Sequence, residues 1–150
     1  GGDDNEFRHI AQVVQAAGNL AGELDIPVIL GAQLKRDPTA RDIKTARDIR
    51  LPGLADVWGG SAIEQKADTV LFVHRPHYYL ERAEPSSNAK HYGEWVADMD
   101  RWKGKAQLVV GKRRGGKGFS VREVAYIDRL TRFETLYKAD DLDDQPAMEF

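Results

Sequence analysis

The chain has no cysteine among its 150 residues, so disulfide frameworks and thiolate metal sites are excluded. No apolar run approaches the ~20 residues that a membrane-spanning helix needs. Acidic side chains are missing from one long stretch. From Arg101 to Arg122 there are eight basic residues (Arg101, Lys103, Lys105, Lys112, Arg113, Arg114, Lys117 and Arg122) and no Asp or Glu. Acidic residues crowd instead at the other end of the imbalance, as Asp140, Asp141, Asp143, Asp144 and Glu149. The net charge of −2 therefore averages a basic segment against an acidic tail. The basic segment has the charge to meet phosphate, and a solvated loop is its plainer alternative. The tail, residues 137–150, reads as disordered and solubilising. What is present, 150 residues with 41% hydrophobic side chains, suffices for one compact domain.

Periodicity predicts an amphipathic helix over residues 5–25. Phe7, Ile10, Val14, Ala17, Ala21 and Leu24 recur at spacings of three and four on one face. Gly18 and Gly22 each weaken that helix by ~1 kcal/mol relative to alanine, and Pro27 ends it. Val28-Ile29-Leu30-Gly31-Ala32 follows as a continuously apolar run, the pattern of a strand buried on both faces of a parallel sheet. Residues 35–60 are charged, carry Pro and Gly, and read as a long loop with a helical turn near 40–48. Loops of that length inside compact domains are functional or disordered. Ser61-Ala62-Ile63-Glu64 is a capping-box pattern that opens a short helix. Residues 68–74 give a second buried strand, 107–110 a third, 121–127 a fourth and 131–136 a fifth. Residues 76–103 form a polar, aromatic-studded insertion without clear period. The order predicts an α/β fold, a parallel sheet extended by antiparallel strands at one edge.

Residues 111–118 nearly spell the phosphate-binding loop G-x-x-x-x-G-K-[ST]. Position 118 is Gly, however, so the hydroxyl that would hold magnesium is missing. Such a loop must also open a helix, whereas Phe119-Ser120-Val121-Arg122-Glu123-Val124 reads as strand. The segment is a glycine-rich turn between two strands, displaying Lys112, Arg113 and Arg114. Residues 124–128 imitate a Walker B strand but lie too close to 111 for the intervening elements. His74, His77 and His91 lack a suitably spaced acidic or cysteine partner and read as ordinary histidines. Gln33 closes the first strand at its carboxyl end, where ligands bind in open α/β sheets. Trp58-Gly59-Gly60-Ser61 precedes the short helix. Its amides suit a phosphate oxygen, and a flexible loop with a good N-cap is the equal alternative.

Taken in order, three segments resemble the C-terminal half of the RecA-like motor domain of DnaB-type replicative helicases. Ile26-Pro27-Val28-Ile29-Leu30-Gly31-Ala32-Gln33-Leu34-Lys35-Arg36 is similar to the family's "VPVIxLSQLxR" strand. Gly60-Ser61-Ala62-Ile63-Glu64-Gln65-Lys66-Ala67-Asp68-Thr69-Val70-Leu71-Phe72, the most specific of the three, is similar to "ESGAIEQDADxVLF". Val109-Val110-Gly111-Lys112-Arg113-Arg114-Gly115-Gly116-Lys117-Gly118 is similar to the "IxAKxRNGxxG" turn. Residues 127–133 look like the closing "FDxxxTRF". The matches cover most of residues 7–136 apart from two long loops.

The resemblance implies roles. Gln33 corresponds to the glutamine that senses the γ-phosphate and couples it to the DNA loop. Lys112 and Arg114 correspond to residues offered across a subunit boundary to the neighbour's ATP, Arg114 as an arginine finger. Trp58, Gly59, Gly60 and Ser61 correspond to the loop that binds single-stranded DNA in the channel of a homo-hexamer. The usual Arg-Glu pair is here Trp58-Gly59, which leaves the contact to the backbone amides of 59–61 and to stacking by Trp58. ATP and Mg2+ are the implied cofactors, a primase or helicase loader an implied partner, and the cytoplasm the implied compartment, with no membrane.

The family's P-loop, base glutamate and Walker B aspartate lie upstream of the residue matching Phe7, and no counterpart occurs in these 150 residues. Residues 1–136 are thus expected to be the C-terminal portion of a motor domain, a partial RecA-like P-loop ATPase core lacking the P-loop strand. A gap is expected in the sheet between 28–32 and 69–73. The isolated chain is expected to be a fragment that neither hydrolyses ATP nor unwinds DNA. The nearest alternatives are a recombinase, a plasmid-type helicase, or a non-catalytic nucleic-acid-binding module using 101–122.

Overall fold

The computed structural model describes residues 2–35, 43–58, 60–116 and 118–136. Helix α1 spans Gly2–Leu24. Its stripe of Ile10, Val14, Ala17 and Ala21 is half-buried as the spacing predicts, while Leu24, placed on the same face, is 57% exposed. The stop comes before the proline. Asp25 takes a left-handed conformation (φ 52°), and the Ile26 amide reaches back to the Ala21 carbonyl at 3.2 Å. That is the six-to-one bond of a Schellman ending, with the proline following a helix already closed.

The strand expected at 28–32 is not formed. Residues 26–33 have no regular secondary structure and belong to no ladder, and Ile29 is 94% exposed. A parallel strand needs a neighbour for its amides and carbonyls, and none stands beside it among the described residues. Pairing begins only at Leu34, in an isolated antiparallel bridge with Val57. Helix α2 spans Gly60–Lys66, where the capping-box pattern placed a short helix, and α1 packs against it.

The sheet comprises β1 (Thr69–His74), β2 (Lys105–Arg113), β3 (Ser120–Ile127) and β4 (Arg132–Thr135), in that order. The amide of Arg114, just past β2, donates to the carbonyl of Asp68, just before β1, at 2.8 Å. The end of one strand thus lies against the start of the other, so they run antiparallel. The Tyr126 amide likewise meets the Gly104 carbonyl at 2.8 Å, which sets β3 antiparallel to β2. β3 and β4 pair antiparallel with Tyr126 opposite Phe133. Of the expected sheet, then, the antiparallel strands are what the described residues form. β1 is also not buried on both faces as its apolar run suggested. Val70, Phe72 and His74 point inward, while Leu71 and Val73 are 59% and 52% exposed.

The described residues divide into two compact units, one drawn from 2–35, 50–58, 60–72, 109–116 and 118–121, the other from 43–49, 73–108 and 122–136. In the first, Val57, Val70, Phe72 and Val109 form a core against which Leu34, Leu51, Leu54, Ile63 and Ala67 pack. In the second, the insertion at 76–103 is not irregular. It folds as α3 (Pro76–Arg82) and α4 (Tyr92–Trp102), packed on each other. Proline at the first helical position starts α3, where a missing amide costs nothing. Trp95 and Trp102, seven residues apart, are the buried face of α4, and the Trp95 indole donates to the Leu80 carbonyl at 2.9 Å. The aromatic spacing carried a helical signal that the surrounding polar residues obscured.

His74 is 3% exposed and stacks on Tyr79 with ring centroids 5.6 Å apart. Burial pushes its pKa from 6.5 down to about 4, so the folded protein holds it neutral. Between those values the unfolded chain binds the additional proton. Stability contributed by the neutral ring is therefore complete above pH 6.5 and lost as pH falls toward 4, by ~3 kcal/mol in all. Thermal melts between pH 7 and 4.5 are expected to show this decline, and His74→Phe is expected to flatten it. An equal slope in both proteins would refute the assignment.

Candidate functional site

The basic turn is built by the β2–β3 hairpin. β2 runs to Arg113, so Lys112 lies within the strand and Arg114 opens the turn. Alternation along the strand turns Lys112 away from Arg113, and both Lys112 and Arg114 reach residues 64–68. The Arg113 stem lies over Gly116, where an added Cβ would come within 2.9 Å of it. Gly115 has φ 76°, a left-handed conformation that suits glycine at the reversal.

Both cations are anchored to one corner of the chain. The Lys112 ammonium donates to the Glu64 main-chain carbonyl, one of the last carbonyls of α2 and hence without a helical partner. The Arg114 guanidinium pairs with the Asp68 carboxylate at 2.5 Å, and the Arg114 amide bonds the Asp68 carbonyl. The ion pair stands in solvent, with side chains 62% and 73% exposed.

A second cluster forms where residues 26–33 meet the loop. The Trp58 amide donates to the Gln33 carbonyl at 3.0 Å, and the Lys35 amide to the Asp56 carbonyl at 2.7 Å, on either side of the Leu34–Val57 bridge. Gln33 and Trp58 are thereby adjacent, and both side chains are exposed. Gly60 opens α2 and Ser61, exposed, lies in its first turn. Gly59 lies outside the described residues.

The loop before Trp58 owes its shape to charge pairing that its sequence did not advertise. Arg50 grips Asp56 through both nitrogens, at 3.0 and 2.6 Å, and the Gly53 amide adds a bond at 2.7 Å. The Arg50 fork, with the Gly53 amide, holds the Asp56 carboxyl below the usual carboxylate range. Asp48 accepts from the amides of Lys44 and Thr45, which lower its pKa in the same way. Asp98 of α4 accepts the Ala46 amide at 2.6 Å.

The structure therefore joins Lys112 and Arg114 to the end of α2, and Gln33 to Trp58 just before its start. Asp68 was quoted in the most specific segment but not singled out, because only tertiary pairing brings it to Arg114. Lys112 and Arg114 offer N–H donors and positive charge, which fit phosphate oxygens. They offer no oxygen ligand for Mg2+. Among the described residues no helix is long and apolar enough to cross a membrane.

Comparison with known proteins gives this geometry a family. The pattern of the DnaB-like helicase C terminal domain matches residues 2–135. The replicative DNA helicase DnaB of Rickettsia bellii is 34% identical over 137 residues, 89% of this chain and 26% of the relative. That of Pasteurella multocida is 31% identical over 141 residues, 94% of this chain and 25% of the relative. A probable plasmid replicative DNA helicase of Chlamydia psittaci is 33% identical over 117 residues, 78% and 20% of the respective lengths. Among solved structures, an ATPase domain superposes with a TM-score of 0.60 at 25% identity, covering 87% of this chain and 37% of that one. The chain spans about a quarter of the length of the curated DnaB relatives. A partial RecA-like α/β core with these motifs in this order, matched along nearly all of its described length, makes the chain a member of the DnaB-like helicase C-terminal domain family.

Proposed function

We propose that this chain is the C-terminal portion of the motor of a hexameric, ATP-dependent replicative DNA helicase. In this reading Lys112 and Arg114 reach the ATP of a neighbouring subunit, and Trp58 with the amides of 59–61 contacts single-stranded DNA. ATP and its Mg2+ are held chiefly by a P-loop half outside these residues, and Mg2+ supplies charge neutralisation on the phosphates when bound. The 150 residues alone turn over no ATP. A primase or helicase loader is the expected further partner.

The observation that carries the reading is the backbone bond between Gln33 and Trp58 at 3.0 Å. The residue whose counterpart senses γ-phosphate is thus fastened directly to the loop whose counterpart holds DNA. The Gln33 amide can donate to a phosphate oxygen and accept from a neighbour, so a change at the nucleotide has a short route to the loop. Arg114 stabilises negative charge spreading over the transferring phosphoryl group, and its planar fork matches the phosphate oxygens. Lys112 adds a point charge.

The test is DNA binding and DNA-stimulated ATP hydrolysis by the intact protein with oligothymidylate. Trp58 is 42% exposed, enough to stack on a base. Trp58→Ala is expected to weaken oligothymidylate binding by about 10- to 100-fold, as loss of one base-stacking contact does. Unchanged affinity by fluorescence anisotropy would remove Trp58 from the DNA site. Absence of any DNA stimulation of ATPase in the unaltered protein would overturn the function itself.

A further inference from the structure

We propose that Asp68 is a positioning residue for Arg114, setting the finger's direction from the same corner of the chain that ends helix α2. The proposal rests on the finger reading above and deepens it.

Residue 114 is held to residue 68 twice, once through the backbone at 2.8 Å and once through the side chains at 2.5 Å. The side-chain approach runs from Nη1 of Arg114 to Oδ1 of Asp68. A guanidinium carries five N–H donors, more than one carboxylate occupies, so donors stay available to phosphate oxygens while the carboxylate restrains the side chain's direction. Lys112 is anchored four residues earlier at the Glu64 carbonyl. Both cations thus take their positions from residues 64–68.

Exposure argues that the pair is not there for stability. At 62% and 73% exposure, an ion pair contributes little to folding. What it changes is freedom. A loose arginine at a turn carries rotamer entropy, which must be given up each time it meets a phosphate. An arginine already held in direction forgoes that cost, and a small error in placement is expensive in rate.

The experiment uses the intact protein with saturating oligothymidylate. Asp68→Asn is expected to lower kcat for ATP about tenfold with KM and melting midpoint unchanged. Asp68→Glu is expected to recover most of the loss. Placed on Arg114→Ala, Asp68→Asn is expected to add no further loss, because the two residues act as one unit. Wild-type kcat in Asp68→Asn alongside a collapse in Arg114→Ala would overturn the positioning role and leave the finger standing. Additive losses in the double variant, or a lowered melting midpoint with full kcat per folded molecule, would overturn it too. If Arg114→Ala itself keeps full turnover, the finger reading fails, and that outcome is distinct from the others.

Discussion

Arg114→Ala in the intact protein is expected to reduce DNA-stimulated kcat for ATP by ~10³–10⁵, the range by which arginine fingers accelerate phosphoryl transfer. The magnitude follows from where the charge is used. In the proposed finger role, negative charge spreads over the phosphoryl oxygens in the transition state, and a fixed cation beside them is worth far more than one in solution. Little of the effect is expected in the fold, because the guanidinium is exposed and its pair with Asp68 is a surface pair. Melting and oligomer assembly are therefore expected to persist while turnover collapses. Arg114→Lys is expected to recover only part of the rate, since an ammonium cannot present two parallel donors. Mixed assemblies give the sharper check. Arg114→Ala subunits combined with subunits lacking a functional P-loop should retain a fraction of active boundaries if the finger acts in trans. Full turnover by Arg114→Ala alone would show that the assignment is wrong.

The second large effect is structural. Phe72→Ala is expected to cost about 3–5 kcal/mol of stability, the range for emptying a buried aromatic site. Phe72 is 4% exposed and touches a core whose other buried members, Val57, Val70 and Val109, are all β-branched and stiff. Its ring also occupies the space that a side chain at Gly111 would take, so β1 and β2 meet around it. Neither the stiff valines nor the paired strands can collapse into the void. Domains are commonly stable by only ~5–15 kcal/mol, so such a loss lowers the melting midpoint strongly and loosens the strand that carries Lys112 and leads into Arg114. Phe72→Leu is expected to keep most of the stability by keeping most of the volume. A melting midpoint for Phe72→Ala equal to that of the unaltered protein would refute this account of the core.

Some features were legible because they are local. The apolar period of α1, the start of a short helix near Ser61 and the glycine-rich turn after Arg113 each depend on residues within a few positions, where sterics and hydrogen bonding act directly. The helices of the insertion were missed for the opposite reason. Trp95 and Trp102 mark a buried face only once α3 supplies Leu80 to meet it. The strand at 28–32 shows the same limit from the other side. Its apolar composition fits a buried strand, yet a strand is a relation between two segments, and no partner stands beside it among the described residues. The fork between Arg50 and Asp56 is another case, a pairing six residues apart in a loop with no period to announce it.

The candidate site divides along that line as well. The residue types, their order and their spacing were set by the sequence alone, including the lysine and arginine two positions apart and the glutamine after an apolar run. Family membership was legible for that reason, since motifs survive as strings. Which of these residues touch was decided by folding. Gln33 meets Trp58 through an antiparallel bridge, and Arg114 meets Asp68 because β2 runs back beside β1. Those contacts join residues 25 and 46 positions apart, at which no local rule operates. Chain pairing had to bring them together before their charges and amides could act on each other.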